Sequence, residues 1–212
     1  MITRTATILA AIGLSAFHGA VWAQGIEPCG DVFRNAFGPF DYRTASAYNK
    51  QLVEGSHFTS DIENFRKGGK THYIANDIDY TLRVFPNHPR ALLALSKLSL
   101  KLKTMRPPGT QWTVDCYFQR AIQYQPDDSS IRLVYGIHLT RWGKPDLARA
   151  QLEFADQQPL QDGNFHYNLG LAFLDVGDTE RALKHAKRAY ALGYRLPGLK
   201  NRLEKLGKWR DD

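Results

Sequence analysis

Histidine, cysteine and aspartate are the side chains here that could hold a metal, attack a carbonyl or share a proton. His72 and His88 are well separated along the chain, and His138, His166 and His185 fall at unrelated places. Neither set has the short intervals at which one turn or one helix face gathers metal ligands. A metal site shared by the last three would have to be assembled by the fold; ordinary surface or partly buried histidine is the plainer reading. Asp77 and Asp79, two apart on a helical stretch, point to different faces and cannot act as a carboxylate pair. Asp127-Asp128 suits a helix-capping turn. The chain has no HExxH, GxSxG, P-loop or GxGxxG, and its serines have no local nucleophile motif. These residues predict no enzyme, no cofactor and no metal.

Cys29 and Cys116 are the two cysteines of the chain. They form no CxxC and no metal-ligand cluster, so their chemistry depends on the compartment. The first residues supply it. Met1–Arg4 is a short basic start, residues 7–17 are apolar or small, and Val21-Trp22-Ala23 is a small-x-small cleavage site before Gln24. That is the plan of a secretory signal peptide over residues 1–23. Its apolar run is shorter than the roughly 20 residues a membrane span needs. The expectation is an exported, periplasmic chain from Gln24 with no transmembrane segment and a structural Cys29–Cys116 disulfide. On chain-entropy grounds so long a loop stabilises by about 4–5 kcal/mol at most.

Charge is unevenly spread. Residues 24–179 hold 17 basic and 17 acidic side chains, whereas residues 180–212 hold ten basic and four acidic. A basic terminal helix is usually a solvated face, although it can meet an anionic surface or polymer. Export argues against nucleic acid as the partner.

The elements that position these residues recur at a fixed interval. Gly136 and Gly170, Gly143 and Gly177, Ala148 and Ala182, and Ala155 and Ala189 are all separated by the same 34-residue step; Phe118/Leu152 and Ala121/Ala155 carry it one period back. In residues 168–193, Leu169, Gly170 and Phe173 lie on one face of a first helix, and Gly177 stops it. Asp178 or Thr179 caps a second helix, on which Ala182, Ala186 and Ala189 form a small-residue stripe. Small residues let the two helices approach closely. Pro145 fits the first turn of the preceding second helix.

These positions resemble those of the tetratricopeptide repeat (TPR) family, which has the same period. The stretches DIDYTLRVFPNHPRAL and DCYFQRAI further resemble a set of exported bacterial TPR proteins. The implied fold class is all-α: a short right-handed TPR-type array of helical hairpins, with an irregular N-terminal extension and a C-terminal capping helix. Residues 24–70 are the extension, 71–128 one or more degenerate repeats, 129–162 and 163–196 the two full repeats, and 197–212 a basic cap and tail. Residues 29–57, rich in aromatics, are expected to fold over the first helical pair, tied there by Cys29. Ser60 to Glu63 reads as a capping box, residues 71–85 and 89–105 as helices, and Leu199, Leu203 and Leu206 as the inner face of the cap.

The resemblance implies a function: binding another protein or peptide in the concave groove lined by the first helices. The 34-residue phase puts Ser130, Leu133, Ile137 and Arg141 there from one repeat. It adds Asn164, Tyr167, Leu171 and Asp175 from the next, with Ser99 and Lys103 from the degenerate copy. That lining is mostly apolar and lacks the Lys and Asn pattern of carboxylate-clamping TPR domains. It suits a hydrophobic peptide or helix, as an adaptor in an envelope assembly. The alternative is a peripheral envelope protein that uses its basic C-terminal helices on an anionic surface.

Overall fold

A computed structural model describes residues 29–67, 73–157 and 161–210, and its described residues form ten α-helices and no strand. The expected signal peptide lies outside the described residues. α1 (Ala47–His57), α2 (Ser60–Glu63) and α3 (Ile74–Val84) precede three hairpins. These are α4 (Pro89–Leu102) with α5 (Val114–Tyr124), α6 (Ser129–Arg141) with α7 (Pro145–Gln157), and α8 (Gly163–Asp175) with α9 (Thr179–Ala191). α10 (Gly198–Lys205) closes the far end. The architecture is a short TPR-type hairpin array.

The helix starts follow from their caps. The carboxylate of Asp128 accepts from the backbone N–H groups of Ser130 and Ile131, and Asp162 does the same for Asn164 and Phe165. Asp178 accepts from Arg181 N–H. Each cap is worth about 1 kcal/mol. Gly143 and Gly177 end α6 and α8 with φ of +71° and +80°, which side chains other than glycine adopt at a cost. The capping box at residues 60–63 does not form. Thr59 is the N-cap of α2 without a side-chain bond, because Ser60 already lies inside the helix.

Within each hairpin the small residues face one another. Ala148, Ala155, Ala182, Ala186 and Ala189 are fully buried. A Cβ built at Gly136 would come within 2.5 Å of Leu152 Cδ2. One at Gly170 would meet Leu199 Cδ2 at 2.6 Å and the Ala182 carbonyl at 3.2 Å. Gly170→Val should therefore destabilise by about 1–3 kcal/mol through overpacking. Gly55→Ala, where nothing lies within 4 Å, should be neutral or stabilising by about 0.5–1 kcal/mol. Urea denaturation of both checks this, and equal effects would contradict the close approach.

The first part of the extension packs against the turn after α3 and against α5. Phe40 N–H donates to the Val84 carbonyl at 2.8 Å, Tyr42 N–H to Asn87 Oδ1 at 2.9 Å, and the Tyr124 hydroxyl to the Pro39 carbonyl at 3.2 Å. Cys29 is bonded to Cys116 on α5. At the other end, Leu199 and Leu203 are buried as expected, but Leu206 is 55% exposed. α10 has ended at Lys205, one residue earlier.

Candidate partner-binding groove

α4, α6 and α8 lie side by side, because each hairpin stacks its first helix on the next. Between them is a cavity of about 250 Å³ lined by Arg90 and Leu93 of α4, Ser130, Leu133, Val134 and Ile137 of α6, and Asn164, Phe165 and Asn168 of α8, with Pro89 and Asp162 at its edge. Leucine, isoleucine, valine and phenylalanine make the floor, while asparagine, serine and arginine make the rim. No residue of the 29–67 segment lines it.

Four of the residues that the phase assigned to the groove line this cavity: Ser130, Leu133, Ile137 and Asn164. Leu133 is only 5% exposed, a floor residue rather than a partly open one, and Ile137 is half-buried. Leu171 is half-buried against the same core, and Arg141 is exposed at the end of α6. Tyr167 departs from the expectation: it is 8% exposed, because its ring packs on Tyr194 at 4.6 Å and its hydroxyl reaches Gly198. The cap, not a ligand, occupies its place. Asp175 is exposed and ion-paired with Arg202 at 2.8 Å.

Ser99 and Lys103 are misplaced for a physical reason. Ser99 is fully buried and donates to the Ser96 carbonyl at 2.8 Å. Lys103 caps α4 in the left-handed conformation. The N-caps Asp128 and Asp162 keep the repeat interval, whereas His88 precedes Asp128 by six positions more than one period. The α4–α5 connection spans residues 103–113, against 142–144 in the next hairpin, so the second helices keep the 34-residue register while α4 is displaced. The groove positions on α4 are therefore Arg90 and Leu93. Pro86 and Pro126, just ahead of these helices and separated by the same lengthened interval, are the sequence signal for that offset.

Arg90 is held in place. Its Nε donates to Glu63 Oε1 at 3.0 Å, and its Nη2 pairs with the other carboxylate oxygen. Hydrogen bonding to Arg90 keeps the Glu63 carboxyl below its ordinary range.

His57, His88, His138 and His185 each face a carboxylate. His88 Nε2 lies 3.0 Å from Glu54, and His138 Nδ1 lies 2.8 Å from the Ser96 hydroxyl. His166 Nδ1 and His185 Nδ1 meet at 2.9 Å, and His185 Nε2 lies 3.1 Å from Asp156. His138 instead faces Asp115, so the three later histidines do not gather at one point. Among the described residues no group of three or more His, Cys, Asp or Glu side chains could hold a metal ion. Asp77 and Asp79 serve different neighbours: His57 lies 2.9 Å from Asp77, while Asp79 accepts from Tyr117 and Arg83.

The described residues thus form an all-α array of helical hairpins with an apolar cavity between their first helices. No family model and no curated protein matches the chain. Among solved structures it is similar to "MamA MSR-1 C2" at 15% identity and a TM-score of 0.40, over 74% of this chain and 82% of that one. At that score the likeness carries no further argument.

Proposed function

We propose that the protein is an exported adaptor that holds a protein or peptide partner in the groove between α4, α6 and α8. The observation that carries the reading is the open cavity with an apolar floor spanning three consecutive first helices. A polar-rimmed apolar cleft that no other described residue covers has the usual form of an interaction site. Ile137→Asp, at a half-buried floor position, should abolish partner recovery from an envelope extract while leaving the thermal midpoint nearly unchanged. Ser130→Arg at the rim supplies a second, gentler block. If both variants recover the same partners as the wild type, the groove is not the site. Tyr167→Ala, by contrast, should lower the midpoint, since that ring holds the cap.

Export fits two facts. A disulfide joins Cys29 to Cys116, and no helix among the described residues is long and apolar enough to cross a membrane. Intact-mass measurement on periplasmic protein should give a chain beginning at Gln24. Uncut chain confined to the cytoplasm would refute this.

A further inference from the structure

The charges around the groove are unbalanced. Arg90 is committed to Glu63, Asp175 to Arg202, and Asp162 to the first turn of α8. Lys97 and Lys101 stand four and eight residues after Leu93 on α4, so they share its face. Arg141 stands in the same relation to Leu133 and Ile137 on α6. All three cations are exposed. None of them enters an ion pair with the described residues, although Arg43, Arg83, Arg149, Arg181 and Lys184 elsewhere all do. Lys101 lies 5.9 Å above the Phe65 ring, and the carboxylate whose charge Lys97 feels, Glu63, is already bonded to Arg90. The groove thus has an apolar floor with its own carboxylates satisfied, and unmatched positive charge along one margin.

At 1.5 Å per residue, Lys97 and Lys101 lie about 6 and 12 Å along the axis from Leu93, and Arg141 about 6 Å from Ile137. We infer that the groove takes an acidic peptide segment, whose apolar side chain enters the floor and whose carboxylates, about 6–12 Å away, meet Lys97, Lys101 and Arg141. The inference rests on the groove reading and names the chemistry of its partner. Exposed charge pairs add modest affinity each, but like charges along the same margin repel a basic segment, so the margin selects.

The test is a selection of random dodecapeptides, displayed on phage, against the full mature chain at physiological ionic strength. Parallel selections use Ile137→Asp and the triple variant Lys97→Glu, Lys101→Glu, Arg141→Glu, whose exposed positions should leave the unfolding midpoint in place. Peptides that need Ile137 should combine leucine, isoleucine or phenylalanine with Asp or Glu. A synthetic copy of one should bind the triple variant about tenfold more weakly or worse, and should weaken as salt is raised. Ile137-dependent peptides that are neutral or basic, or that bind the triple variant equally well, would overturn the inference and leave the groove reading standing. If no selected peptide depends on Ile137, both fall.

Discussion

Cys29→Ser, and the wild-type chain under a strong reductant, should unfold at a clearly lower denaturant concentration than the oxidised protein. The bond joins residues 87 apart, and the loop it closes contains α1 to α4. Its loss returns that loop's entropy to the unfolded chain, and removing such a bond typically costs about 2–5 kcal/mol. Non-covalent contacts offset part of the effect locally. Val32 is fully buried, Arg120 donates to the Cys29 carbonyl at 2.8 Å, and the Arg120 guanidinium lies 4.0 Å above the Trp112 ring. The extension should therefore loosen first, with the hairpins following at higher denaturant. Cys116 is buried, so Cys116→Ala is the better partner variant for a double replacement. Denaturation curves with and without reductant decide the matter: reductant should shift the wild type and leave the double variant alone. Superimposable wild-type curves would show that the bond adds nothing.

Acid should weaken the fold in two steps. Burial pushes the His185 imidazole down to about 4 from an ordinary 6.5, against the pull of Asp156. A base whose pKa is lower in the folded state keeps its full stabilising share above its unfolded value. That share is lost as the pH falls from 6.5 towards 4, by about 2–3 kcal/mol for this group. Burial also lowers His88, which adds to the same loss. The geometry shows why these rings must stay neutral. His88 Nδ1 accepts the Ala91 N–H as the N-cap of α4, and its Nε2–H donates to Glu54. His166 and His185 face each other Nδ1 to Nδ1, an arrangement that needs one donor and one acceptor. A second loss follows between about 4.5 and 2. The hydrogen bond from His88 holds Glu54 down to about 2, and such a carboxylate stabilises only while ionised. Thermal midpoints at constant ionic strength should fall measurably between pH 6.5 and 4, and His185→Leu should flatten that segment. A flat wild-type profile there would contradict a buried, neutral His185.

Much of the fold was legible because its causes are local. The spacing of Gly136, Gly143, Gly170 and Gly177, the alanines one period apart, and Asp128 and Asp178 as caps specify two hairpins through short-range sterics and hydrogen bonds. The cysteine pair was equally legible, since a chain read as exported with two cysteines has one intramolecular bridge to make. The candidate groove was half legible. Ser130, Leu133, Ile137 and Asn164 follow from the phase, whereas Arg90 and Leu93 were lost to a longer α4–α5 connection that moved one helix register by six positions.

The sequence alone determined the periodic part: which residues are helical, which small side chains face each other across a hairpin, and where the helices start. Those features depend on neighbours one to four residues away, or on a repeat that copies them. The tertiary structure decided the rest. It set Tyr167 under Tyr194 and the cap, joined His166 to His185, placed residues 29–46 against α5 and the turn after α3, and set α4, α6 and α8 around one cavity. Each of these depends on contacts between segments far apart in the chain. Their distance and direction follow from how whole helices stack, which no local pattern encodes.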